Sequence, residues 1–169
     1  MTWLVRPAMA PDLAHLPEVE RAAARLFPPG RIADPDETHP VEELRGYLQE
    51  GLLWVGADEV GVMGYVIARE LDGALHVYEL AVDPRFGRRG IGTALMRRTL
   101  QEAARRALPR VTLTTFEDLA WNAPFYRRLG FRVLGVAELT EPLRRLLERE
   151  RAAGMTRRVA MAYTTGSAP

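Results

Sequence analysis

The sequence predicts an α/β fold, one domain over residues 1–169 whose mixed, mostly antiparallel sheet has about seven strands flanked by four to five helices. Three observations predict it. Residues 52–82 carry Val-, Leu-, Ile-, Trp- and Tyr-rich runs broken by hairpin turns. The hydrophobic period then changes after Asp83-Pro84, where a glycine-rich loop opens a long helical stretch. Beyond Leu108, strand-like and helix-like segments alternate to the last residues.

Trp3 to Ala8 reads as the first strand. Pro11-Asp12 opens a helix with Leu13, Leu16 and Val19 on one face, stopped by Pro28-Pro29-Gly30. Arg31 to Pro40 is a polar loop in which Asp34, Asp36 and Glu37 read as a solvated acidic stretch beside His39. Val41 to Glu50 is a second helix, ended by Gly51. Leu52–Ala57 and Val60–Leu71 form a hairpin around Asp58-Glu59, and Asp72-Gly73 turns the chain into a strand over Ala74–Val82. The helix from Gly90 to Leu108 is expected to bury Ile91, Leu95 and Leu100 and to solvate its arginines. Val111–Phe116 is a strand, Asn122–Leu129 a short helix closed by Gly130, Phe131–Leu139 a strand, Pro142–Ala153 an amphipathic helix and Thr156–Tyr163 a last strand. Residues 164–169 read as a frayed tail.

Composition excludes several classes. The chain has no cysteine, so disulfides, thiolate metal sites and a cysteine nucleophile are ruled out. The 23 basic and 22 acidic residues nearly cancel, and no aromatic platform accompanies the arginines, so no nucleic-acid partner is expected. No apolar run approaches a membrane span and no basic start precedes an apolar stretch, so no membrane partner is expected and a cytoplasmic location is. No metal site is expected.

The segment Leu80-Ala81-Val82-Asp83-Pro84-Arg85-Phe86-Gly87-Arg88-Arg89-Gly90-Ile91-Gly92-Thr93 carries the chemistry. A strand feeds a glycine loop at a helix start, where free N–H groups and the positive end of the helix dipole suit a phosphate. A Walker loop fits the Gly87-to-Gly92 spacing, but Thr93 stands where lysine is required. A dinucleotide fingerprint fits Gly90 and Gly92, but Leu95 occupies its third glycine position. The remaining pattern resembles the GNAT acetyltransferases, whose signature is Gln/Arg-x-x-Gly-x-Gly/Ala; here Gly87 takes the first position and Gly90 and Gly92 match the glycines. Asn122-Ala123-Pro124-Phe125-Tyr126, followed by Leu129-Gly130-Phe131, is similar to that family's later motif, with a shorter Asn-to-Tyr spacing than many members.

The resemblance implies a GNAT-like sheet and acetyl-CoA as co-substrate. It implies that the backbone of Arg88, Arg89, Gly90, Ile91, Gly92 and Thr93 cradles the pyrophosphate, and that the main chain of Leu80, Ala81 and Val82 pairs with the pantetheine arm. Asn122 joins the cofactor set, and Tyr126 is the implied general acid for the departing thiolate. An ammonium acceptor must lose a proton first, at a cost of about 4–5 kcal/mol at pH 7. Glu79, immediately before Leu80, is the nominated base, with His76 on the opposite strand face. The implied reaction is direct acetyl transfer to an amine of a small molecule or peptide, because no cysteine is present to carry an acyl-enzyme. A non-catalytic acyl-CoA-binding module on the same fold is the rival reading, and the resemblance is compatible with a homodimer, in which the final strand could take part.

Overall fold

A computed structural model describes residues 2–166. In chain order the elements are β1 (Leu4–Pro7), α1 (Leu16–Ala24), α2 (Val41–Gln49), β2 (Leu53–Ala57), β3 (Val62–Leu71), β4 (Ala74–Val82), α3 (Ile91–Arg105), β5 (Arg110–Phe116), α4 (Ala123–Arg128), β6 (Arg132–Val133), α5 (Glu141–Ala152) and β7 (Arg158–Thr164). The strands form one seven-stranded sheet in the order β1-β2-β3-β4-β5-β7-β6. The β1–β2, β2–β3, β5–β7 and β6–β7 pairs are antiparallel and β4–β5 is parallel, as a mixed sheet requires. No helix among the described residues is long and apolar enough to cross a membrane. The chain divides into two compact units, one comprising Met1–Pro28, Asp34–Arg69 and Tyr78–Thr99, the other Pro29–Ala33, Glu70–Val77 and Leu100–Pro169.

In the first unit, Leu53, Val55 and Ala57 of β2 pack with Leu13, Leu16, Val19, Leu44 and Tyr47 in one core. Alternate strand residues face the other way. There Gly56 lies under Ile91, and the Arg98 guanidinium stacks over Trp54, 5.0 Å from the ring centroid. All five residues of β2 are therefore buried, between α1 and α2 on one face and α3 on the other. The first helix departs from expectation. Residues 10–15 are a 3-10 turn, and the α-helix starts only at Leu16. Pro11 and Pro17 have no N–H to donate, so an α-helical ladder through them is incomplete. Asp12 secures the turn instead, accepting from Met9 N at 2.7 Å and from both Arg6 guanidinium nitrogens. In α3 the buried stripe runs through Ile91, Leu95 and Thr99, with Leu100 only half-buried. The i, i+4 spacing puts position 99 on the stripe, where its hydroxyl donates to Leu95 O at 3.0 Å and so is satisfied.

In the second unit, β5 and β7 pair from Arg110↔Thr164 to Phe116↔Arg158. Leu143 of α5 packs on Ala160 and Ala162 of β7. The expected strand over Phe131–Leu139 is reduced to Arg132–Val133. Leu134 N still reaches Ala160 O, but Glu138 then turns back to accept from Gly135 N at 2.8 Å, and a 3-10 turn over Val136–Glu138 replaces the strand. Thr164 belongs to β7, and Thr165 is fastened by its N–H to Pro109 O and its hydroxyl to Leu108 O, so the expected fraying does not include them. Residues 167–169 lie outside the described residues. β7 is paired along its length by β5 and at Met161 and Ala162 by the short β6.

His76 is buried between strands, its Nδ1 2.8 Å from Thr112 Oγ1, and burial pushes its pKa down to about 4, slightly opposed by Glu150. The unfolded chain titrates this histidine near 6.5, so between pH 6.5 and 4 only the unfolded state binds the proton. Stability then falls as pH drops through that window, by up to about 3 kcal/mol at pH 4. Urea titrations of the wild type and His76→Gln check this: the difference between them is expected to change by about that amount between pH 7 and pH 4.

Candidate functional site

The phosphate-loop candidate lies wholly in the first unit. Asp83 N–H donates to Met63 O at 2.9 Å, which ties the end of β4 to β3. The buried Asp83 carboxylate then accepts from Arg85 N and from the Arg85 guanidinium, the shortest contact being 2.6 Å, and this pair holds its carboxyl below the usual range. A 3-10 turn over Pro84–Phe86 closes with Gly87 N on Pro84 O at 3.0 Å. A Cβ on Gly87 would lie 3.1 Å from that same carbonyl, which is a physical reason for glycine where the family motif has a longer residue. Arg88 and Gly90 both adopt left-handed backbone, φ 62° and 80°. A non-glycine residue there costs on the order of 1 kcal/mol, so Arg88 is held by its surroundings. The hydrogen-bond ladder of α3 begins with Ala94 N–H donating to Gly90 O at 3.0 Å. The N–H groups of Ile91, Gly92 and Thr93 precede that ladder and emerge at the helix N-terminus. Arg88, Arg89 and Gly90 are exposed beside them.

The helix start is seated by two glycines on neighbouring strands. Gly56 of β2 and Gly64 of β3 are partners in register. A Cβ on Gly56 would lie 2.7 Å from Ile91 Cγ2; one on Gly64 would lie 2.9 Å from Ala81 O and 3.3 Å from Ile91 Cγ2. The pair forms a notch into which the first residue of α3 drops, and the same notch admits the backbone of Ala81. Leu80 and Val82 are half-buried and Ala81 is buried. The ladder of β4 with β5 registers Leu75 with Val111 and His76 with Thr112, upstream of Leu80–Val82.

Glu79 does not stand alone on its strand. One ligand atom each from Glu20 of α1, His39 of the 31–40 loop and Glu79 lie within 4.8 Å of one another. Glu20 accepts from His39 N at 3.0 Å, from the Tyr65 hydroxyl at 2.8 Å, and meets His39 Nδ1 at 2.9 Å. Burial opposes ionisation of Glu20, yet the His39 contacts outweigh it and its pKa is lowered. Burial together with the charges of Glu79 and Glu20 pushes the Tyr65 hydroxyl well above 10, so Tyr65 stays a donor. Sequence reasoning left Glu20, His39 and Tyr65 unassigned. They come from three elements separated by 19 and 45 positions, and no local spacing signals them.

The second unit carries Tyr126 and Asn122. Asn122 Oδ1 accepts from Phe116 N at 3.3 Å, and Asn122 O accepts from Tyr126 N at 3.1 Å, so this residue fastens the start of α4 to β5. Tyr126 is 9% exposed and its ring meets those of Phe125 and Phe131 edge-on, 5.1 and 5.8 Å between centroids. Gly130, at φ 100°, closes the helix and passes 3.1 Å from the Tyr163 ring if given a Cβ. Asp118 is engaged rather than simply solvated: it takes a bidentate contact from Arg31 at 2.9 and 2.7 Å, with Arg157 alongside, and Arg31 holds its pKa down at about 2.

The model of the Acetyltransferase (GNAT) family matches residues 16–131. N-acetylaspartate synthetase of Rattus norvegicus is 34% identical over 87 residues, covering 50% of this chain and 29% of that protein. N-acetylglutamate synthase of Neisseria gonorrhoeae, solved with coenzyme A and N-acetyl-glutamate, aligns at TM-score 0.75 and 16% identity over 98% of this chain and 35% of that one. The chain thus spans about a third of the length of these two relatives. The PaiA N-acetyltransferase of Thermoplasma acidophilum, in complex with coenzyme A, aligns at TM-score 0.72 and 16% identity over 97% of this chain and 99% of that one. The two structural likenesses show a common fold. With the glycine loop, the Tyr126 helix and well over half of its residues inside the family match, this chain belongs to the GNAT acetyltransferase family.

Proposed function

We propose that this chain is an acetyl-CoA-dependent N-acetyltransferase that passes acetyl directly to an amine of a small molecule or peptide. The observation that carries the reading is the loop: Arg88 and Gly90 in left-handed backbone ahead of the unladdered N–H groups of Ile91, Gly92 and Thr93. That arrangement offers converging donors and a helix dipole to a pyrophosphate without needing a side chain at Gly87. In this reading the pyrophosphate takes the N–H groups from Arg88 to Thr93, and the pantetheine amides pair along the main chain of Leu80, Ala81 and Val82. The β4–β5 ladder registers only upstream of those residues, which supports it. Asn122, whose Oδ1 is already taken by Phe116 N, offers the cofactor its amide NH2. Tyr126 protonates the departing thiolate and Glu79 assists deprotonation of the amine. The coenzyme A bound in the PaiA structure is in keeping with the reading.

A free-thiol release assay tests it, run across amino acids, polyamines and peptides with free N-termini. The chain has no cysteine, so every thiol detected is released coenzyme A. Acetyl-CoA-dependent thiol release with at least one amine is expected. Binding of acetyl-CoA without release for any of them would assign the chain to the non-catalytic reading.

A further inference from the structure

Resting on that reading, we infer that His39 is the proton acceptor for the amine, aimed by Glu20 and acting beside Glu79. The 31–40 loop is fastened to α1 by two contacts to one carboxylate, since Glu20 receives both the His39 backbone N–H at 3.0 Å and its ring Nδ1 at 2.9 Å. Tyr65 fixes the same carboxylate from β3 at 2.8 Å. Glu20 is thus immobilised by three donors. With the Nδ1 proton directed at a carboxylate, the free lone pair of the neutral ring falls on Nε2. The ring is only partly covered, its side chain 21% exposed, and it shares its 4.8 Å neighbourhood with Glu79 on the strand that continues into Leu80.

Basicity separates the two candidate acceptors. A carboxylate near 4.3 is about six units less basic than an alkylamine near 10.4. An imidazole starts about two units closer to the amine. Burial lowers the His39 pKa, but the Glu20 hydrogen bond and the charges of Glu20, Glu79 and Glu43 outweigh it and leave it raised. These are the charged groups facing His39 from α1, β4 and α2; Tyr65 of β3 reaches it through Glu20. The resulting base is closer in basicity to an ammonium than a carboxylate is, so the proton transfer to it is less uphill. The proton count balances. The ammonium gives one proton to His39 Nε2, which passes it to solvent. The amine nitrogen then attacks the acetyl carbon, the C–N bond forms, the C–S bond breaks and its electron pair leaves on sulfur. The second nitrogen-bound proton matches the one taken up by the thiolate, for a net release of one proton per turnover.

The test uses the full chain with spermidine, L-glutamate or an alanine-initiated tripeptide, whichever gives thiol release, and records kcat/KM against pH. In the wild type kcat/KM rises with pH through an inflection above 6.5. His39→Gln is expected to lower kcat/KM at pH 7.5 by about 10²-fold and to abolish that inflection, with coenzyme A affinity within about twofold of wild type. Glu20→Gln removes a negative neighbour, so the inflection survives but moves to lower pH; Glu79→Gln, which leaves the Tyr65 contact alone, moves it the same way. Reduced activity with the inflection unmoved in all three variants would show a merely structural tie and overturn the inference, leaving the acyl-transfer reading standing. Thiol release from none of the three probes would overturn both. Activity that EDTA abolishes and Zn²⁺ restores would give the three donors to a metal ion, and so would also overturn it.

Discussion

Tyr126→Phe is expected to lower kcat by about 10²- to 10³-fold while leaving the affinity for coenzyme A within about twofold. Attack on a thioester expels a thiolate, and a phenol that stays protonated at neutral pH is a suitable donor to it. The substitution removes only the hydroxyl. The edge-on contacts of the ring with Phe125 and Phe131 remain, as does the backbone bond of Phe131 N to Tyr126 O at 3.1 Å. The aromatic packing is therefore kept, and a thermal unfolding scan run beside the kinetics separates a chemical loss from a folding loss. Steady-state kinetics with calorimetric binding of coenzyme A checks it. Turnover equal to wild type would remove Tyr126 from the reaction.

Gly64→Val is expected to have the largest effect on both folding and cofactor binding. Its Cβ would lie 2.9 Å from Ala81 O, a backbone atom that cannot rotate away, with Val82 Cγ2 at 3.1 Å and Ile91 Cγ2 at 3.3 Å behind it. Overpacking of this kind costs about 1–3 kcal/mol or more, and a β-branched side chain leaves few rotamers to escape through. Relief has two routes: β4 lifts from β3 at Ala81, or the start of α3 moves outward. Either displaces the backbone proposed to hold the cofactor, so acetyl-CoA affinity is expected to fall at least 10-fold alongside the drop in urea midpoint. The same change at Gly61, where a Cβ meets nothing within 4 Å, serves as the control and is expected to alter neither by much.

The elements that frame the candidate site were legible because their signals are local. The glycines at 87, 90 and 92 follow a strand directly, and the structure places β4 at Ala74–Val82 and the start of α3 at Ile91, as the change of period after Asp83-Pro84 implied. The Asp72-Gly73 turn is read from two adjacent residues, both at positive φ in the structure. What escaped notice depends on register or distance. The Gly56–Gly64 notch exists only because those two glycines face each other across β2 and β3, and neither residue alone announces it. The Glu20–His39–Glu79 group draws on α1, a loop and β4. The Phe131–Leu139 run is apolar enough for a strand, yet Gly135 and Glu138 close a local turn that ends the pairing at Val133. Thr99 was left out of the buried stripe because a threonine looks polar, while its hydroxyl is satisfied inside its own helix.

The place of β7 has a consequence for biosynthesis. This strand sits between β5 and β6, so until it has been made β6 has no partner and β5 is paired only with β4. Residues 117–157 separate the end of β5 from the start of β7. At about 5–20 residues per second, β5 waits roughly 2–8 s with one edge unpaired. An unpaired hydrophobic edge of that kind templates wrong pairing. The edge of β5 is thus a place where the nascent chain is open to aggregation and to chaperone capture, and slower translation through residues 117–157 lengthens that window.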